Sequence, residues 1–349
     1  NFRLMKKIYL TFLTLVFFLI NFNTQSQTYR HDYDPYFEMA YEQNNLIPKG
    51  FLEAVAYTNT HIRNIDDSEP KSCTGLPKAY GVMGLTLDGK GIMKNNLPLV
   101  AELSSYPMED IIQYPDINIL AYAKAYQSLA EQLETRKGKI EKHVPVLIAL
   151  SDLPDKDLTS NFALNSFLYS VLVLLNNEDF QNEYQLPSYQ IDLENIFGKE
   201  NYEVLSAGFV KMSSKKIESK DGQQFQQKSM GACLDYPSAI WTAAASCNYS
   251  SRSGTAVSAV TIHTIQGSYS SAINWFQNCN ANVSAHYVVR SSDGQVTQMV
   301  CESDKAWHVG SENPYTIGIE HEGYVGDPQT WYTTAMYSSS ANLCKDISN

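Results

Sequence analysis

The feature that most constrains this fold is a change of hydrophobic period across one polar stretch, residues 211–229 (KMSSKKIESKDGQQFQQKS). Before it, apolar residues recur at helical spacing. Leu52, Val55, Asn59 and Ile62 share one face of a helix predicted over 48–62, and Ile119, Tyr122, Tyr126, Leu129 and Leu133 form a second stripe. Asp34-Pro35 reads as a helix cap followed by proline at the first helical position. Residues 162–175, an apolar run interrupted by Asn165, Ser166 and Ser170, read as a buried helix. After the polar stretch the period falls to two: Val260 and Ile262 alternate with Thr261 and His263. Tyr269, Ala272, Ile273 and Phe276 then mark an amphipathic helix, and Ser291-Ser292-Asp293-Gly294 a hairpin turn between 286–290 and 295–300. A short strand at 316–320 follows, and Asp327-Pro328 is predicted to cap a final helix with Tyr332, Ala335, Met336, Ser339, Leu343 and Ile347 inward. The expected organisation is a mostly α-helical domain over 31–210, a linker over 211–230 and an α/β domain over 235–349. In the last, a mixed sheet carries flanking helices.

The 349 residues suffice for two such domains, and 44% hydrophobic against 18% charged is the balance of packed globular structure. The formal net charge of −11 argues against nucleic acid as a partner, since polyanion binding needs clustered Lys and Arg. Lys6 and Lys7, the apolar run 8–22 and Thr24-Gln25-Ser26 have the layout of a signal peptide over 5–26, with Met5 as the start and cleavage after Ser26. The run is 15 residues long, short of the roughly 20 that span a bilayer. The expected destination is therefore secreted or periplasmic, with no membrane contact after cleavage. Six cysteines suit an oxidising compartment; none forms a CxxC pair, and the nearest two in sequence, Cys233 and Cys247, are the expected disulfide.

His263 and Glu320 each end a predicted strand, where side chains open onto a cleft. Taken singly, such residues are more often structural or solvated. Together they suit metal-assisted hydrolysis, with a neutral imidazole binding zinc and a free carboxylate acting as general base.

Four segments, in order, resemble the type 2 N-acetylmuramoyl-L-alanine amidases, a fold shared with peptidoglycan-recognition proteins. They are Val260-Thr-Ile-His263-Thr, Ser284-Ala-His-Tyr287 with Asp293-Gly294, Lys305-Ala-Trp-His308-Val-Gly310, and Asn313-Pro-Tyr-Thr-Ile-Gly-Ile-Glu320. The resemblance covers roughly 235–349. It implies that His263 is a Zn2+ ligand and Glu320 the catalytic base, and that Trp307, His308 and Asn313 line or brace the substrate groove. It places His286 and Tyr287 beside that groove, with at most one of them facing it. The substrate implied is peptidoglycan or its muropeptides. The family completes its metal site with a second histidine and a cysteine or aspartate after the helix predicted from Pro328. No histidine follows His321, so the domain is expected to be C-terminally truncated, its remaining ligands past Asn349. The fragment is expected to be inactive as it stands, with no second histidine beside His263.

The helical segment more faintly resembles lysozyme-like lytic transglycosylases, in Leu46-Ile-Pro48, 51–57, Tyr80-Gly-Val-Met-Gly-Leu85 and Asp116-Ile-Asn-Ile119. Those enzymes need a carboxylic acid at the end of the motif helix. Here Asn59 stands there, so no glycan cleavage is expected, and Glu53 reads as a solvated helix residue. Two other functions compete with zinc-dependent amide hydrolysis: a non-catalytic muropeptide-binding module, and a scaffold, suggested only by 23 tyrosines. A retained general base favours the enzyme.

Overall fold

The computed structural model describes residues 30–135, 140–154, 161–207, 210–213, 216–219 and 233–349. The predicted signal peptide, 5–26, and most of the predicted linker, 211–230, lie outside the described residues. The described pieces of the linker belong to β3 (Val210–Ser213) and β4 (Lys216–Ser219), which pair antiparallel.

The helical half follows the sequence stripes. Its helices are α1 (Asp34–Gln43), α2 (Phe51–Thr60), α3 (Asn96–Ser104), α4 (Met108–Gln113), α5 (Pro115–Gln132), α6 (Val144–Leu150), α7 (Phe162–Leu175), α8 (Glu178–Glu183), α9 (Leu193–Phe197) and α10 (Lys199–Leu205). A two-stranded pair, β1 (Ala79–Tyr80) and β2 (Leu85–Thr86), interrupts them. The stripe on α5 buries Ile119, Tyr122 and Tyr126, whereas Leu133 falls past the helix end and is 48% exposed. α7 is the buried helix predicted, its start capped by Asn161, whose side-chain oxygen accepts from the Leu164 amide at 3.1 Å. At α1 the expectation shifts by one residue. Asp34 is the first helical residue, not the cap, and its carboxylate sits 2.7 Å from the His31 ring.

Glu53 also departs from expectation. Every residue from Phe51 to Tyr57 is buried because α2 lies inside the helical layer, with α7 packed against it. No solvated face remains for Glu53, which is 5% exposed and accepts a hydrogen bond from the Tyr41 hydroxyl. Burial pushes its carboxyl up to about 7, against the opposing pull of the Tyr41 bond.

The second half is built on a five-stranded mixed sheet in the order β5-β9-β8-β11-β7. Its strands are β5 (Ile240–Trp241), β7 (Ala259–Thr264), β8 (Tyr287–Val289), β9 (Val296–Gln298) and β11 (Thr316–His321). β11 pairs parallel with both β7 and β8, and β8 pairs antiparallel with β9 around the predicted hairpin. β6 (Tyr249–Ser251) and β10 (Asp304–Ala306) form a separate antiparallel pair. α11 (Tyr269–Phe276) carries the chain from β7 to β8, its first turn capped by the Ser268 hydroxyl. The predicted last helix is broken in two. Asp327 precedes only a short α12 (Pro328–Trp331), and α13 (Thr334–Ile347) has its own cap, Thr333, whose hydroxyl accepts from the Met336 amide at 3.1 Å.

Alternation decides what each sheet face meets. Tyr287, Val289, Ile317 and Ile319 join Met336 and Leu343 of α13 in one apolar cluster, with Val260 at its margin. The opposite face carries Val288, which joins Trp275, Phe276 and the apolar residues of the helical half in a single larger core. Arg290, 2% exposed, bridges the halves: it is ion-paired with Asp293, reaches the Ser166 hydroxyl and Leu205 carbonyl, and lies over the rings of Tyr169 and Tyr269. His61 of the helical half stacks on Trp331 at 3.7 Å between ring centroids.

The disulfides are Cys233–Cys301 and Cys247–Cys279. The expected Cys233–Cys247 bond does not form: Asp235, two residues past Cys233, accepts from the Gln298 side chain (2.6 Å) and the Glu302 amide (2.8 Å), which holds Cys233 beside Cys301. Cys247 meets Cys279 past the end of α11 instead. Among the described residues, no helix is long and apolar enough to cross a membrane.

A carboxyl whose folded pKa is raised contributes stability that is fully present below its unfolded pKa and lost as pH rises through the folded value. For Glu53 that window runs from the ordinary 4.5 to about 7. Urea midpoints measured across this range should fall with rising pH, and Glu53→Gln should flatten the fall. An unchanged slope in the variant would place the proton uptake elsewhere.

Candidate active site

The in-register parallel pairing of β7 and β11 makes His263 and Glu320 direct neighbours. Adjacent strands lie roughly 4.8 Å apart, and paired residues project to the same face, so the pair is a consequence of sheet register. That face is the one turned toward the helical half. Glu320 is completely buried, and neither of its carboxylate oxygens has a hydrogen-bond partner. Burial alone pushes its carboxyl up to about 8. Burial likewise holds His263 below the usual imidazole value, and so neutral.

A chain of side-chain bonds sets the orientation of His263. The Thr316 hydroxyl donates its one proton to the Glu312 carbonyl (2.9 Å), so toward the His308 Nε2 at 3.2 Å it can only accept. His308 therefore carries its proton on Nε2. Its bare Nδ1, 3.1 Å from His263 Nε2, accepts the proton that His263 holds there. His263 Nδ1 is left with its lone pair free. It points toward the Cys73 Sγ, 3.6 Å away, contributed by the helical half. One ligand atom from each of Cys73, His263 and Glu320 lies within 4.8 Å of the others.

The loop bearing His308 is held from beneath. The Asn313 side-chain oxygen accepts from the His308 and Val309 amides at 2.9 and 2.7 Å. Arg252, 4% exposed, donates to the carbonyls of Glu302 (3.0 Å), Asp304 (2.7 Å) and Pro314 (2.5 Å). Gly318 completes the seat. A Cβ there would stand 2.6 Å from the His308 ring, so only glycine lets the imidazole lie against the strand. Burial, and then the neighbouring His263, push the His308 imidazole down to about 4. It stays a neutral hydrogen-bonding link at ordinary pH.

Convergence of a neutral imidazole nitrogen, a thiol and a carboxylate with two unpartnered oxygens fits a borderline-soft divalent cation such as zinc. A cation there would remove the desolvation cost of the Glu320 charge.

Residues 253–349 match the N-acetylmuramoyl-L-alanine amidase family model. Over 114 residues, 33% of this chain, it is 53% identical to N-acetylmuramoyl-L-alanine amidase A of Achromobacter lyticus. The chain spans 63% of that relative's length. No solved structure matches the chain.

Within the matched segment, the predicted residues divide by position. His263 and Glu320 meet in the cleft. His308 stands beside His263, so the expectation that no second histidine would be found there is corrected: the 307–316 loop folds back over Gly318. Trp307 is half-buried, its indole N–H 3.3 Å from the Ser250 hydroxyl. Asn313 braces the loop from below. His286 and Tyr287 are fully buried, and neither is placed to touch a substrate. The His286 Nδ1 accepts from the Gly318 amide (3.0 Å), its Nε2 faces the Asp304 carbonyl (3.2 Å), and burial pushes it down to about 3. Tyr287 points to the α13 face and donates to Glu302 at 2.7 Å. The sequence reading missed Arg252 and Cys73. Arg252 has no motif around it. Cys73 lies outside the matched segment, and its one signal is that it pairs with no other cysteine.

At the position the helical resemblance makes catalytic, the Asn59 amide donates to the Met83 carbonyl at 2.9 Å. The cavity it borders holds about 20 Å³ and is walled partly by Gly267, Ser268, Ser271 and Tyr324 of the matched segment. That admits a water molecule and not a sugar.

Gly318→Ala should destabilise the protein by about 1–3 kcal/mol through overpacking against His308, read as a lowered urea midpoint at unchanged slope. Wild-type stability would mean that His308 does not rest on β11.

Proposed function

We propose that the amidase segment hydrolyses the amide joining N-acetylmuramic acid to L-alanine in peptidoglycan, in a zinc-dependent reaction on the outer side of the cell membrane. One observation carries the reading: Glu320 is a fully buried carboxylate with both oxygens unpartnered, beside the free Nδ1 of His263. A purely structural carboxylate in that setting would find donors, as Glu322 does from the Tyr269 and Ser291 amides. The family match and the name of the relative supply the bond and the polymer.

When bound, zinc would polarise the scissile carbonyl and acidify the attacking water. His263 would hold it through Nδ1, the nitrogen that His308 and Thr316 leave free, and His308 would keep that imidazole from rotating. Glu320 takes the proton of the attacking water and returns it to the departing L-alanine nitrogen. Its raised pKa matches both halves of that transfer near neutral pH. Trp307, beside His308 at the cleft margin, would contact the muropeptide. The helical half serves as scaffold or glycan-binding surface, a reading supported by Asn59, whose amide has no labile proton to give and bonds the Met83 carbonyl.

With the full chain acting on purified sacculi, Glu320→Gln should retain bound zinc and lower release of free stem peptides by about two to four orders of magnitude. His263→Ala should lose zinc and activity together. Zinc retained at full stoichiometry in His263→Ala, or wild-type turnover in Glu320→Gln, would end this assignment. In the same digests, neither the wild type nor Glu320→Gln should release anhydro-muropeptides. Their appearance would show a working glycan-cleaving acid in the helical half.

A further inference from the structure

Cys73 stands out because it belongs to the helical half, far from the matched segment in sequence, yet its Sγ lies within 4.8 Å of ligand atoms of His263 and Glu320. Its place there is not that of a loose loop. Residues 69–76 are fastened to the amidase segment at both ends. The Glu69 carboxylate accepts from the Gln266 side chain (3.0 Å) and the Gly326 amide (3.1 Å), and Arg63 pairs with its other oxygen. The Pro70 carbonyl accepts from the same Gln266 amide group at 3.0 Å. Past the cysteine, the Thr74 carbonyl accepts from the buried Trp275 indole N–H at 3.0 Å. Leu76 then packs onto Gly267, where a Cβ would stand 2.7 Å from its Cδ2. Between these fastenings the Ser72 and Thr74 hydroxyls bond each other at 2.9 Å. The backbone on either side of Cys73 is thus fixed relative to β7 and β11.

What this delivers is a thiol 3.6 Å from the free His263 Nδ1 and within 4.8 Å of a Glu320 oxygen. Cys73 forms no disulfide. The second, independent observation is Glu320 itself, whose two buried oxygens find no donor anywhere among the described residues. An imidazole lone pair and a sulfur aimed at one point are donors for a borderline-soft cation, sulfur disfavours magnesium or calcium, and the unpartnered carboxylate beside them supplies compensating negative charge.

We propose that Cys73 is a ligand to the divalent cation held by His263, so that the metal centre is assembled from both halves of the chain. The proposal rests on the metal-dependent reading above. On binding, the thiol S–H bond breaks, the proton leaves to solvent, and a sulfur–metal bond forms with no change of oxidation state. The helical half then does more than support the sheet: it supplies a donor atom to the cleft, and the loop 69–76 couples the packing of the halves to metal affinity.

Cobalt(II) tests this on the full chain, because a thiolate ligand adds a sulfur-to-metal charge-transfer band in the near ultraviolet that nitrogen and oxygen ligands do not. Chelator-treated protein titrated with cobalt chloride should show that band saturating at one equivalent together with the visible d–d bands. Cys73→Ser should lose the charge-transfer band and bind cobalt weaker by more than the roughly 10–100-fold that losing an outer-shell partner costs. Cys344→Ser, which removes the other free thiol on α13, should keep band and affinity. Cobalt bound by the wild type without the band, or a band surviving in Cys73→Ser, overturns the proposal and leaves the metal-dependent reading standing. No cobalt binding by the wild type overturns both. Should Cys73→Ser fail to fold by circular dichroism, the wild-type spectrum still decides.

Discussion

Two parallel strands in register, β7 and β11, place a histidine and a glutamate side by side on one face of a sheet, and the surrounding structure is organised about that pair. A buried carboxylate is costly unless it is neutral, hydrogen-bonded or beside a cation. The structure provides Glu320 with no hydrogen bond, and burial holds its carboxyl near 8. The groups nearby are arranged to keep the space beside it defined. Gly318 makes room for His308, Arg252 and Asn313 hold the loop that carries His308, and His308 fixes which nitrogen of His263 is free. Each of these residues acts through another, which is why a short stretch of sheet needs so many buried polar groups around it.

The two halves of the chain differ in period and composition yet share one apolar core. Their contact is also polar and specific. Arg290 reaches across to Ser166 and Leu205, Trp331 stacks on His61, and Trp275 bonds the Thr74 carbonyl. Such contacts are buried, directional and hard to exchange for water. The Trp275 bond holds the Cys73 loop in place, and residues of the second half, Gly267, Ser268, Ser271 and Tyr324, wall the space beside Asn59. The motif helix ends in an amide where a glycan-cleaving enzyme would need an acid, and the same interface leaves that amide beside water-sized space.

What the sequence alone determined is local and periodic. The alternation of Val260-Thr261-Ile262-His263, the 3.6-residue stripe of α11, the hairpin at Asp293-Gly294 and the stripes of α2 and α5 each reflect side-chain geometry within one element. The His263 and Glu320 segments were legible as well, because the motif carries strand and functional residue together. Tertiary structure decided what depends on which elements meet. Glu53 is buried because a neighbouring helix covers the face that periodicity leaves to solvent. His286 and Tyr287 are withdrawn from the cleft because strand alternation and the packing of α13 assign them to the interior. The Cys233–Cys301 disulfide follows the bonds that Asp235 makes to Gln298 and Glu302, residues far from it in the chain. His308 reaches His263 only because a loop folds back over a glycine, and Cys73 reaches His263 only because the halves dock. No periodicity encodes a contact between residues 190 apart in sequence; it exists once the packing of two surfaces has brought them together.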